Sequence, residues 1–171
     1  MTSQARDEAE RPIHVLFLCT GNSARSLLAE ALLSRLGGGR FRSFSAGSQP
    51  KDRPHRRTIE ILDRLGFETK ELRSKSWNEF ARPDSPPLDF IFTVCGNAAD
   101  ETCPVWPGHP VSAHWGVDDP AAFSGSPTEE RAFFERVHGE LAEKVRRFIA
   151  LDLSSSDDPS LALRLSEIGR A

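Results

Sequence analysis

Cys19, Arg25 and Ser26 stand in one register, Cys-Thr-Gly-Asn-Ser-Ala-Arg-Ser, which begins where an apolar run ends. Thr20 to Ala24 carry no bulky side chain, so the main chain there can curl into a nest whose N–H groups face an anion. Arg25 adds a rigid guanidinium fork suited to oxyanion oxygens. A cysteine at the mouth of such a nest lies beside a helix N-terminus and an arginine. Both favour thiolate, which predicts a Cys19 pKa below the ordinary thiol value. Ser26 can donate a further hydrogen bond to the sulfur. The chemistry is nucleophilic attack by Cys19 on the central atom of a phosphate-shaped substrate, with Thr20, Gly21, Asn22, Ser23, Ala24 and Arg25 holding the peripheral oxygens. The plainer reading is a structural cysteine beside a helix start, common for lone cysteines. The contiguous register argues against it.

The elements that must position this stretch are legible around it. Val15 to Leu18 form the unbroken apolar block of a strand buried on both faces, and Leu27 to Leu36 switch to helical spacing, with Leu28, Ala31, Leu32, Leu33 and Leu36 as the apolar stripe. Gly37-Gly38-Gly39 ends that helix. A second strand spans 41–46, and a second helix opens near Pro54 with Ile59, Leu62 and Leu65 on its buried face. Residues 68–88, polar and then proline-rich, read as loop. Asp89 to Val94 give a third buried strand ending on Cys95, and Val111 to His114 a short fourth. Ser126-Pro127-Thr128-Glu129 opens the last long helix, with Phe134, Val137, Leu141, Val145 and Phe148 as its stripe to about residue 150. Beyond lies a linker, with a short helix at Leu161 to Ile168. The reading is one α/β domain over 13–150, a four-stranded parallel sheet flanked by helices, with a disordered tail at 1–12 and a linker with its helix at 151–171.

Catalytic groups in open α/β sheets collect beyond the carboxyl ends of parallel strands, so Cys19 and Cys95 belong at one edge. Cys103 follows on the next loop. The net charge of −3 gives no general attraction for nucleic acid or an anionic membrane, so an anion site must be local. No segment has membrane-span character, and the charged start lacks a signal-peptide core; the chain reads as a cytoplasmic monomer. Three cysteines, an odd number, fit reactive thiols better than a disulfide framework, and without a CxxC pair or a convincing histidine set no metal site is expected. The five histidines, and Trp106 and Trp115, read as ordinary structural residues.

The octapeptide from Cys19 to Ser26 resembles the phosphate-binding loop of the low-molecular-weight protein tyrosine phosphatases and the arsenate reductases built on that fold. Cys95-x7-Cys103-Pro, followed by His114-Trp-Gly-Val-Asp-Asp119-Pro120-Ala, resembles the arsenate reductases in particular. Phosphatases of the family carry tyrosines after the Asp-Pro pair, whereas this chain has Ala121-Ala122-Phe123 and no tyrosine at all. The best-known thioredoxin-coupled members have one residue fewer between the second and third cysteines. The resemblance implies that Asp119 is the acid protonating the leaving oxygen, although an Asp-Pro pair by itself is more often a turn.

It implies reduction of arsenate to arsenite, an arsenic detoxification, by a redox-active relay. Cys19 attacks arsenic, Cys95 resolves the adduct, and Cys103 accepts the disulfide for an external thiol reductant: thioredoxin, glutaredoxin or a small thiol. No bound cofactor is implied, and no flavin or nicotinamide motif is visible. A phosphatase acting on phosphate monoesters and a non-enzymatic oxyanion-binding module are the other readings. Some related reductases hold a potassium ion with the loop asparagine, a helix glutamate and an aspartate. Asn22 and Glu30 match the first two and Lys75 falls at the third, so a lysine ammonium that pairs with Glu30 and donates to Asn22 could do the ion's work. A solvated loop lysine is the plainer alternative.

Overall fold

The computed structural model describes residues 11–95, 106, 108–154 and 159–171. Its elements are β1 (Ile13–Cys19), α1 (Arg25–Gly37), β2 (Phe41–Gly47), α2 (Arg56–Arg64), β3 (Phe90–Thr93), β4 (Val111–His114), α3 (Pro127–Ile149) and α4 (Pro159–Arg170), with 3-10 turns at Gly38–Arg40, Trp77–Phe80 and Pro120–Ala122. The four strands are parallel in the order β2-β1-β3-β4, which puts β1 inside the sheet beside both β2 and β3. Parallel strands covered on both faces need apolar residues on both. Val15, Leu16, Phe17 and Leu18 accordingly have no exposed surface.

One face of the sheet packs under the helices. Val15, Phe17, Phe92 and Trp115 join Leu28, Leu32 and Leu33 of α1, Ile61 and Leu62 of α2 and Val137, Leu141, Val145 and Phe148 of the predicted α3 stripe, while its Phe134 is buried against His55. On the other face Leu16, Leu18, Ala46 and Ile91 are sealed by Phe80 and Leu88, from the segment read as loop. That segment is pinned to the sheet: Gly47 N–H donates to the Lys75 carbonyl at 2.9 Å, beside a Gly47–Ser76 bridge.

Several boundaries and faces differ from the sequence reading. Leu36 and Leu65, expected on buried faces, are exposed, because each lies in the last turn or cap of its helix beyond the neighbouring element. The α2 helix instead buries Thr58, Ile61 and Leu62. The terminal helix is longer than 161–168, and its Leu161, Leu165 and Ile168 belong to the main core. The capping serine of α3 behaves as its sequence requires: Ser126 Oγ accepts from Glu129 N–H at 3.2 Å and donates to the Glu129 carboxylate at 2.9 Å. Residues 1–10 and 155–158 lie outside the described residues.

Candidate active site

Cys19 is the last residue of β1 and Arg25 the first of α1, so the loop between them spans the strand end and the helix start. The carbonyls from Cys19 to Ser23 are each engaged by other segments. Cys19 O accepts from Ser48 N–H at 3.3 Å, Thr20 O from Gln49 N–H at 3.0 Å, Gly21 O from Lys51 N–H at 2.9 Å, and Ser23 O from His55 N–H at 2.9 Å. Ser74 Oγ donates to Asn22 O at 2.6 Å, and Thr58 Oγ1 donates to Ser23 O at 2.8 Å. In a peptide plane the N–H points opposite the C=O, so carbonyls drawn outward turn the loop amides toward the opposite side. The Asn22 N–H shows the result, donating to Cys19 Sγ at 3.1 Å.

The tightness of this turn has two signatures. Asn22 has φ +47°, a left-handed conformation that asparagine tolerates better than most residues. Gly47, at the end of β2, packs so closely that a Cβ there would lie 2.4 Å from the Thr20 carbonyl oxygen. A side chain at 47 would therefore push the anion loop out of place.

Around the sulfur the hydrogen bonds have an assigned direction. Asn22 Nδ2, a donor only, gives its protons to Ser26 Oγ at 2.7 Å and Ser45 Oγ at 3.0 Å. Ser26 Oγ lies 2.9 Å from Cys19 Sγ, and once the sulfur is a thiolate the hydroxyl is the donor. Ser45 Oγ donates to Glu30 Oε1 at 3.1 Å. Lys75 closes the network: its main-chain N–H donates to Asn22 Oδ1 at 2.9 Å, and its ammonium reaches Arg73 O at 2.8 Å, Ser45 Oγ at 3.4 Å and Glu30 Oε1 at 3.7 Å. The ammonium thus pairs with Glu30 as the sequence suggested, but Asn22 is held by the lysine main chain rather than by the ammonium. Burial pushes the Glu30 carboxyl up and the Lys75 ammonium down, and each charge pulls the other back toward ionisation.

The thiol itself departs from expectation. Cys19 is 3% exposed, and burial pushes its pKa above the ordinary thiol value, against the lowering effects of the Ser26 hydroxyl and the Ser26 and Asn22 N–H groups. A neighbouring charge on Cys95 also opposes ionisation. The expected depression counted the loop's donors and Arg25 but not desolvation. Arg25 meanwhile is engaged elsewhere, donating to the Val117 carbonyl at 3.3 Å and pairing with Asp119 Oδ2 at 3.3 Å.

Asp119 caps the turn at Pro120–Ala122, its Oδ1 accepting from Ala121 N–H at 3.0 Å. It is partly exposed, with 37% of its side chain accessible. Cys95, just beyond β3, is buried with Sγ 3.6 Å from Thr20 Oγ1. Cys19, Arg25, Ser26, Cys95 and Asp119 therefore converge at one sheet edge, while Cys103 lies outside the described residues. Sequence reasoning passed over Ser45, His55, Thr58 and Ser74, which hold the loop from distant segments. Among the described residues no group of three or more His, Cys, Asp and Glu side chains converges as a metal site, and no helix is long and apolar enough to cross a membrane.

Comparison with known proteins gives the family. Residues 14–156 match the family described as low molecular weight phosphotyrosine protein phosphatase. An arsenate reductase of Bacillus licheniformis is 37% identical over 136 residues, which cover 78% of this chain and 93% of that protein. A thioredoxin-dependent arsenate reductase of Corynebacterium glutamicum superposes with a TM-score of 0.59 at 27% identity, over 85% of this chain and 66% of that chain. An arsenate reductase in a phosphate-binding state gives a TM-score of 0.65 at 27% identity, over 81% of this chain and 97% of the other. Matched over most of its length, the chain belongs to the low-molecular-weight phosphotyrosine protein phosphatase family, on the branch that the arsenate reductases occupy.

Proposed function

We infer that the chain reduces arsenate to arsenite with its own thiols, using the loop at 19–26 to bind the oxyanion. The observation that carries this reading is the second buried thiol: Cys95 Sγ sits against Thr20 Oγ1, beside the nucleophile, where hydrolysis of a phosphate ester has no use for it. In the first step the Cys19 thiolate forms an S–As bond, an As–O bond breaks, and Asp119 protonates the departing oxygen so that water leaves. The Cys95 thiolate then attacks the Cys19 sulfur. An S–S bond forms, the S–As electron pair passes to arsenic, As(V) becomes As(III), and arsenite departs. Two thiols have lost two electrons to arsenic, so the balance closes without a bound cofactor.

Cys103 attacks Cys95 next, freeing Cys19 and leaving a Cys95–Cys103 disulfide for an external dithiol. The Corynebacterium glutamicum relative is thioredoxin-dependent, which favours a thioredoxin-type protein as the reductant, and glutaredoxin or a small thiol would serve the same chemistry. A relay of this kind works in a reducing compartment, the cytoplasm, and asks for no second subunit. Residues 13–150 carry every group in the scheme, with 1–12 and 151–171 outside it. Steady-state arsenite formation with each reductant, measured beside phosphate release from an aryl phosphate, tests the assignment: arsenite without comparable phosphate release supports it, and the reverse supports a phosphatase.

A further inference from the structure

Helix α4 is fastened to the segment that carries Asp119 by two devices, and its end is fastened to α3 by a third. Trp115, wholly buried and stacked on Phe92 with centroids 3.7 Å apart, donates its indole N–H to the Leu165 carbonyl at 2.9 Å. Gly169 meets the strand end so closely that a Cβ would lie 2.0 Å from the His114 carbonyl oxygen and 3.0 Å from Trp115 Cδ1. Lys144 of α3 donates to the carbonyls of Ile168, Gly169 and Ala171 at 3.1 Å each, satisfying the C-terminal turn of α4 and fixing its end. Each device acts on the last turns of α4 or on the residues they touch, and those residues lead straight into the acid segment.

The sheet side of that segment is held through main-chain bonds. Trp115 N–H donates to Thr93 O at 2.7 Å and Val117 N–H to Val94 O at 3.1 Å. The Val117 carbonyl accepts from Arg25, which also pairs with Asp119. Among the described residues no strand pairs with the outer edge of β4, and α4 packs against β4.

We propose that α4 is a positioning element for the proton donor, with Trp115 and Gly169 as the positioning residues. They set where residues 114–119 run, and so how far the Asp119 carboxyl stands from the oxygen leaving arsenic. The proposal rests on the reading of Asp119 as the general acid. Proton transfer requires hydrogen-bond reach, so a displacement of about 1 Å at the strand end slows the chemical step without touching the oxyanion loop.

The test uses the full chain carrying Gly169→Ala or Trp115→Phe, each made with Asp119 present and in an Asp119→Asn background, with single-turnover arsenite release and competition by inorganic phosphate as readouts. Trp115→Phe keeps an aromatic ring against Phe92 while removing the indole donor and part of the buried volume, so it covers the case in which Gly169→Ala fails to fold. Each variant should slow release about tenfold when Asp119 is present and less than about twofold in the Asp119→Asn background, with phosphate competition unchanged. Equal slowing in both backgrounds, or no slowing in either, would overturn the role of α4 while leaving the acid assignment standing. If Asp119→Asn by itself fails to slow release, the acid assignment falls and the proposal with it.

Discussion

Lys75 holds Asn22 with its main chain and the neighbours of Asn22 with its charge: the N–H donates to Asn22 Oδ1 at 2.9 Å, while the ammonium lies 3.4 Å from Ser45 Oγ and 3.7 Å from Glu30 Oε1. Asn22 is the residue whose left-handed backbone aims an N–H at Cys19 Sγ. A charge that is almost fully buried, on a segment remote in sequence, therefore supports the geometry around the nucleophile.

If the ammonium substitutes for a monovalent ion, turnover should be the same in sodium and potassium buffers at equal ionic strength. Lys75→Ala leaves the Glu30 carboxylate buried without its cation, which should cost about 3 kcal/mol and lower the melting temperature by about 5–10 °C, with slower turnover. A potassium-specific gain in the unmodified protein, together with a silent Lys75→Ala, would refute the substitution.

Arg25 presents a planar fork whose two terminal nitrogens already reach Val117 O and Asp119. Lysine keeps the charge but supplies neither the fork nor the reach, so Arg25→Lys should weaken arsenate, phosphate and sulfate together, by about tenfold or more. Competition of the three anions against one another in turnover assays checks this. Unchanged arsenate affinity and turnover would remove Arg25 from the site.

Burial raises the Cys19 pKa, with the Ser26 hydroxyl the largest opposing influence. Alkylation of Cys19 by iodoacetamide, followed on its own peptide by mass spectrometry, should therefore accelerate with pH beyond the ordinary thiol range. Ser26→Ala should move that profile further to alkaline pH. The sign for stability follows: with the folded value above the unfolded one, the thiol's contribution is complete below the unfolded pKa and is lost as pH rises through the folded pKa. A profile with its midpoint below that of an ordinary thiol would contradict the burial argument.

Much of this was legible in the residues alone. The run from Val15 to Ser26 declares strand, loop and helix, because a two-faced apolar block and a bulk-free loop leave little else for the chain to do. The stripe of α3, its Ser126 cap and the four residues of β4 read just as directly. What did not read was whatever depends on distant segments meeting. His55, Thr58 and Ser74 look like ordinary polar residues until the fold brings them to the loop carbonyls, and Ser45 until it meets the Asn22 side-chain amide. The direction of the Cys19 pKa also depends on burial, which the motif does not encode. The docking of α4 rests on Gly169 and Lys144, whose roles appear only when helix and strand end are in contact.

The relay makes a separate demand on the third thiol. Cys103→Ser should release about one arsenite per protein and stall with Cys19 bonded to Cys95, whereas Cys95→Ser should stall earlier, at the arsenic adduct. Sustained thioredoxin-coupled turnover in Cys103→Ser would break the order of the three cysteines.

The most direct test uses the unmodified, fully reduced protein with arsenate and no reductant. Arsenite is quantified and disulfides are mapped by peptide mass spectrometry. The account predicts about one arsenite per protein and a Cys95–Cys103 disulfide, since two thiols supply the two electrons that As(V) requires. No arsenite, with all three thiols still reduced and phosphate released from an aryl phosphate by the same preparation, would contradict it.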